Sequence, residues 1–276
     1  MKVRGVARVS ILLAISVGML IPLYLLVTNA FKSQQDIIGK PFALDWGSLS
    51  TRYLWDAITS PNFNVLIGYA VTISFAIAVN ILSFAVCAPA AYIIARGMQR
   101  WHRNLLLLML AGLFIPGQVL VIPVIYVLKM LGLMGTIPGF ILFETTLTIP
   151  VSMFLFTAFI QTIPRELDEA AIIDGAGRLR TLWLVIIPLM RPAIATVVIL
   201  HTIGVWSDFV NPQIILGPSS GIYTVTTGVY AAISLYTTNF TLVYPNLLLA
   251  ITPVLVFFVF MQRHIVGGLT SGALKA

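Results

Sequence analysis

Long apolar runs separated by short polar segments set the pattern of this chain. Runs long enough to cross a bilayer lie at about 10–30, 66–95, 105–130, 138–162, 190–210 and 244–262. Each offers at least about 17 residues, near the roughly 20 that a 30 Å hydrocarbon core requires at 1.5 Å per residue. The second is about 30 residues long and has to tilt or extend beyond the lipid. The pattern predicts an all-α membrane protein with six transmembrane helices in a single domain over 1–276. The first run follows Lys2, Arg4 and Arg8, extends from Ile11 to Thr28, and meets no small-x-small cleavage site. It is therefore expected to remain as the first span rather than leave as a signal peptide.

Between the runs, 31–64 is long, mixed in charge and rich in turn residues. Segment 211–241 carries Gly217, Pro218, Ser219, Ser220 and Gly221, then a partly apolar stretch that either re-enters the bilayer or lies against the bundle. Both segments suit either an external partner or a simple solvated connection. Pro116, Pro123, Pro150, Pro192 and Pro253 fall inside the apolar runs. Each removes a backbone donor and crowds the preceding turn. In lipid the freed groups need protein or a water-filled cavity around them, as in the broken helices of transporters.

Composition strengthens the membrane reading. Apolar residues make up 59% of the chain and charged residues 9%, against about 25% charged in an ordinary soluble domain. Mean hydropathy is +1.01. The net charge of +7 would raise the question of nucleic acid in a soluble protein, but here the basic residues sit in short loops, and no basic helix interleaved with aromatics appears. They read instead as topology signals. With a cytoplasmic N-terminus, twelve of the sixteen Lys and Arg residues fall on the cytoplasmic side. That bias follows the positive-inside rule. Both termini are then cytoplasmic, which requires an even number of spans. The single cysteine, Cys87, lies in an apolar run and reads as a small buried hydrophobe. The spacing offers no metal-ligand set.

The segment between the fourth and fifth runs, 163–176, holds Glu166, Asp168, Glu169 and Asp174, four of the nine acids in the chain. Pro164 suits a first turn. The acids that follow complement the positive end of a helix dipole, Ala170 and Ala171 favour helix, and Gly175 is a plausible stop. A cytoplasmic helix of about ten residues is predicted, too polar for lipid. Leu167, Ala170, Ala171 and Asp174 share a face at i, i+3, i+4, i+7 spacing, and small side chains there permit close approach of another protein.

The longer pattern, Glu169-Ala170-Ala171, three residues, Gly175, nine residues, Val185, one residue, then Ile187-Pro188, resembles the EAA loop of permeases in binding-protein-dependent ABC importers. Val185 and Ile187 are conservative departures from the usual form. Ala91-Tyr92-Ile93-Ile94-Ala95-Arg96 is similar to that family's AYxxAR stretch, and Leu131-Gly132-Leu133-Met134-Gly135-Thr136 to its LGLxxT turn. The stretch Gly267–Lys275 is similar to the GLTAGAVKG tail of the smaller permease subunit in the maltose-type carbohydrate uptake class. Trp206-Ser207-Asp208-Phe209 resembles Trp-Asn-Glu-Phe, with Ser207 and Asp208 departing from it.

The resemblance implies a type I ABC importer permease fold in the bacterial cytoplasmic membrane, with lipid around it. It also implies a second homologous permease subunit, two ATPase subunits and an extracytoplasmic solute-binding protein. Residues 163–188 would form the ATPase-coupling loop, through Glu166, Glu169, Ala170, Ala171, Asp174, Gly175 and Pro188. Residues 264–276 would form a cytoplasmic tail that reaches toward the ATPases through Thr270, Gly272 and Lys275. No G-x-x-x-x-G-K-[ST] occurs, since Gly39-Lys40 is followed by Pro41. ATP and its Mg are therefore expected on the partner, with no cofactor or metal held by this chain.

Charge in lipid is costly, about 2.5–3.5 kcal/mol at a helix centre. Glu144, twenty residues outward from Pro164, and Asp208 are both placed near the outer boundary, where interfacial solvation is the expected account of each. His201 falls near mid-membrane. Asn80, Thr146, Thr148, His201, Trp206 and Asp208 are the candidate solute pathway, with Tyr230 and Tyr236 as further aromatic faces. The alternative for each polar residue is an ordinary interhelical hydrogen bond, worth about 0.6 kcal/mol. A catalytic constellation is missing, which argues against a membrane enzyme. An ion-gradient-driven transporter would want midplane carboxylates, which are scarce here. Within the importer class, a glycerophosphodiester is the alternative solute to a carbohydrate.

Overall fold

A computed structural model describes residues 2–60, 63–217, 220–235 and 239–273. In chain order the helices are α1 (Lys2–Asn29), α2 (Gln34–Gly39), α3 (Arg52–Ile58), α4 (Val65–Arg96), α5 (Arg100–Ala111), α6 (Gly117–Met130), α7 (Ile137–Thr162) and α8 (Glu166–Ile173). They continue with α9 (Arg178–Thr181), α10 (Ile187–Leu189), α11 (Arg191–Ser207), α12 (Val210–Ile215), α13 (Val225–Leu235) and α14 (Phe240–Ala273). A 3₁₀ turn, Gly112–Phe114, follows α5, and a π-helical stretch, Leu182–Ile186, joins α9 to α10.

Among the described residues, four helices are long and apolar enough to cross a membrane: Val9–Asn29, Val65–Arg96, Ile137–Thr162 and Phe240–Met261. Two bent pairs bring the count to six if each is one span: Arg100–Phe114 with Val119–Met130, bent by 110°, and Arg178–Leu189 with Arg191–Ser207, bent by 77°. The apolar run 105–130, expected as one span with Pro116 and Pro123 inside it, is thus broken. The break falls at Ile115, whose ψ of 116° is extended, immediately before Pro116. A residue preceding proline is driven out of the helical region, because the ring crowds its N–H and Cβ.

Residues 1–69 with 225–255 form one compact unit, and residues 70–224 with 256–276 form the other. In the first, the polar segment after α1 is organised around Lys32. Its Nζ donates to the carbonyls of Lys40 at 3.2 Å and Pro41 at 2.9 Å. Burial pushes the Lys32 ammonium below its ordinary value, and neighbouring Asp36 offsets part of that. Ser33 caps α2 by accepting from Asp36 N. In the same unit α13 is well packed, with Val225 and Val229 buried. Phe63 lies so close to Gly68 and Gly228 that a Cβ at either would meet its ring. The start of the partly apolar stretch, Val225 to Val229, therefore lies against protein.

In the second unit the core joins α4, α7 and the segment from Leu182 to Val197. Ala88, Ala91 and Ala95 on α4 are buried. Their small side chains allow the close backbone approach that membrane helix packing relies on. Met153, Phe156 and Ile160 of α7 and Leu182, Ile186 and Met190 fill the space opposite. Cys87 is fully buried among them. Between α6 and α7 the Leu131–Thr136 turn has a local cause. Gly132, at φ +68°, ends α6, and the amides of Gly132 and Leu133 bond to the carbonyls of Lys129 and Leu128. Thr136 then caps α7 by accepting from Gly139 N at 3.2 Å.

Candidate functional site

The acidic segment folds as α8, eight residues long, with Arg165 at the N-cap and Glu166, Asp168 and Glu169 in the first turn. Gly175, at φ +82°, terminates it. The amide of Gly175 bonds to Ile172 O and that of Ala176 to Ala171 O, both at 2.9 Å. This pairing satisfies carbonyls that a helix end otherwise leaves open. Its two faces differ sharply. Asp168 and Ala171, one turn apart, are buried against the protein. Glu166, Glu169, Ala170, Asp174 and Gly175 are exposed, together with Ile173 at 85%. Of the four residues expected to share one docking face, Ala171 turns inward and Leu167, Ala170 and Asp174 remain outside. Pro188 is exposed at the start of α10.

The inward face of α8 meets the AYIIAR end of α4. Tyr92 Oη donates to Asp168 Oδ1 at 2.5 Å, and Arg96 Nη2 lies 2.7 Å from Asp168 Oδ2. The second approach is a charge contact rather than an aligned hydrogen bond. Arg96 Nη1 also donates to the carbonyls of Ile160 at 3.2 Å and Ile163 at 3.0 Å, at the end of α7. Ile160 O also accepts from the Ile163 amide, and both carbonyls lie at a helix C-terminus, where a cation is favoured by the dipole. None of these contacts is derivable from local spacing. The only sequence signal was the AYIIAR stretch itself.

A second polar group lies within the spans. His201 Nε2 and Ser152 Oγ are 3.2 Å apart, and Ser152 Oγ is 3.1 Å from Ser83 Oγ. Asn80 Nδ2 donates to Thr202 Oγ1 at 3.2 Å and to Ala76 O at 2.8 Å. A cavity of about 540 Å³ opens beside this group, lined among others by Thr148, His201, Asp208, Glu144 and Asn211. Of the expected pathway residues it gathers Thr148, His201 and Asp208. Asn80, Thr146 and Trp206 are not in its lining. Thr146 donates back to Leu142 O, and Trp206 is buried.

Glu144 corrects an expectation. It is not solvated at an interface but 5% exposed, with Asn211 Nδ2 donating to its Oε1 at 3.0 Å. Asp208, partly buried, accepts from the amides of Val210 and Asn211 and so starts α12. At the C-terminal end, α14 continues as helix through Thr270 and Gly272, whose side chains are not described. Lys275 and Tyr236 lie outside the described residues.

The chain resembles known proteins along its length. It is 31% identical over 271 residues to the diacetylchitobiose uptake system permease protein NgcG of Streptomyces coelicolor, covering 96% of this chain and 87% of that one. It is 31% identical to the multiple sugar-binding transport system permease protein MsmG of Streptococcus mutans, covering 93% and 92%. It is 28% identical to the melibiose/raffinose/stachyose import permease protein MelC of Bacillus subtilis, covering 92% and 91%. Its fold matches a chain in the crystal structure of a bacterial ABC transporter involved in the import of the acidic polysaccharide alginate. The TM-score is 0.80 at 21% identity, over 95% of this chain and 96% of that one. Residues 87–269 match the profile of binding-protein-dependent transport system inner membrane components, and the chain belongs to that family.

Proposed function

We propose that this chain is one permease subunit of an ATP-driven carbohydrate importer and that its ATPase grips α8. Members of this inner-membrane family work with an ATPase and a solute-binding protein. We place a second homologous permease beside this one, two ATPase subunits carrying ATP and Mg beneath, and an extracytoplasmic binding protein above. The solute class follows from the relatives, whose names carry diacetylchitobiose, multiple sugars, and melibiose, raffinose and stachyose.

One observation carries the coupling role: α8 is a well-terminated helix between two spans whose outer surface is acidic and apolar at once. Glu166, Glu169 and Asp174 offer charge, Ile172 and Ile173 offer contact area, and Ala170 with Gly175 permits close approach. ATP binding would close the ATPase pair, pull α8 and rock the spans between inward- and outward-facing states. The cavity at Thr148, His201, Asp208 and Glu144 would lie on the solute's route. Thr270, Gly272 and Lys275 would add a second contact with the ATPases.

The test is uptake of the four named oligosaccharides by proteoliposomes holding the assembled complex. Glu169→Lys and Gly175→Trp should abolish uptake while the chain stays in the membrane and the ATPase still hydrolyses ATP. Normal uptake by both variants would overturn the reading.

A further inference from the structure

α8 has no stiff connection to the spans through the backbone. On its N-terminal side α7 stops at Thr162, Ile163 is extended with ψ 127°, and Pro164 follows. On its C-terminal side Gly175 is left-handed and Gly177 is extended with ψ 164°. Eight residues are also too few to hold a helix without tertiary support. A force applied to the outer face of α8 would therefore be absorbed by both links unless side chains carry it inward.

On the inward face Ala171 packs against the protein, and the polar link is one carboxylate. Asp168 engages α4 with both oxygens, Oδ1 with the Tyr92 hydroxyl and Oδ2 with the Arg96 guanidinium. That guanidinium also holds Ile160 O and Ile163 O at the end of α7. A single Arg96 side chain thus ties three elements: the inner end of α4, the end of α7, and α8. The charged groups are 14% and 12% exposed, so water competes weakly for them, and loss of one partner leaves the other charge poorly solvated. Asp168 is the acid of this segment that turns inward. Glu166, Glu169 and Asp174 remain on the surface.

We infer that Tyr92, Arg96 and Asp168 form a clasp that makes α8 and the inner ends of α4 and α7 move as one body, so that a pull on α8 becomes motion of the spans. The inference rests on α8 being the helix an ATPase grips. All three are positioning residues. They leave the outer face free, so the ATPase should still dock and turn over when the clasp is cut, while its motion fails to reach the cavity.

The experiment uses the assembled permease–ATPase complex in proteoliposomes, with Cys87→Ser as background and Ser207→Cys as a reporter, since Ser207 also lines the cavity. A membrane-impermeant charged maleimide is applied from the extracytoplasmic side, with and without ATP, Mg and vanadate, and ATP hydrolysis is measured in parallel. With the clasp intact, the trapped nucleotide should change the alkylation rate several-fold. Asp168→Asn, which removes the charge contact with Arg96 and the charge on the acceptor of the Tyr92 hydroxyl, should shrink that change by about tenfold, with hydrolysis within about twofold of the parent. Tyr92→Phe, which removes one hydroxyl and little volume, should shrink it by about threefold. An unchanged ATP response in both variants overturns the clasp and leaves the coupling reading standing. Loss of the ATPase from the Asp168→Asn complex also overturns the clasp, because the residue then maintains the docking surface itself. If the parent complex shows no ATP response, or no ATPase co-purifies with it, the coupling reading falls and the clasp falls with it.

Discussion

Replacing Gly175 by alanine separates two reasons for a glycine there, backbone conformation and room for a partner. In the isolated chain a Cβ at this position meets nothing within 4 Å, so steric collision contributes nothing to the cost. What remains is the left-handed backbone at φ +82°, which costs an L-residue about 1–2 kcal/mol. That energy loosens the α8 terminus by roughly 5- to 30-fold in equilibrium. The amide of Ala176, bonded to Ala171 O, reports it directly. In hydrogen exchange on the detergent-solubilised chain, Gly175→Ala should speed exchange of that amide by roughly the same factor, because the opening is local. Gly175→Asn should speed it by only about two- to threefold, since a short polar side chain tolerates the left-handed region. If alanine and asparagine exchange alike, or if neither differs from glycine, conformation is not what the position demands and the argument fails.

Two further outcomes follow from the buried polar groups. Asn211→Leu removes an amide donor from the buried Glu144 carboxyl and should cost about 1–3 kcal/mol. Glu144→Gln keeps an oxygen acceptor there and should cost less; thermal unfolding in detergent ranks the two, and the reverse order refutes the pairing. Lys32 adds a pH dependence. Its pKa is lowered in the fold from 10.5, so the unfolded segment binds more protons than the folded one between the two values. Stability of the α2 region should therefore rise with pH as it climbs toward 10.5, where the penalty on the charged form disappears. Hydrogen exchange in α2, corrected for intrinsic rates, should show growing protection over that range, and Lys32→Met should flatten it.

Much of this protein was readable along the chain. Apolar runs longer than a bilayer is thick predict membrane helices because backbone groups in lipid have to bond within their own segment. The acids of α8 sit in the first turn, and Gly175 sits one residue past Asp174, because helix dipoles and orphan carbonyls act over a single turn. Those features depend on neighbours in sequence, and α8 appears where they place it, two residues shorter than the expected length of about ten. The Leu131–Thr136 motif is of the same kind, with a left-handed glycine closing α6 and a threonine opening α7.

Three features were decided by the tertiary structure. Asp168 and Arg96 are 72 positions apart in sequence, and only the packing of α4 on α7 brings them to 2.7 Å. Glu144 looked like an interfacial acid because distance along a helix is all that counting can supply, whereas its burial depends on Asn211 arriving from α12. The break at Ile115–Pro116 was invisible to a hydropathy window, which averages across it, although proline marked the position. Sequence determines what interacts within a turn or a span; which spans meet, and so which charges pair, depends on the packing of all of them together.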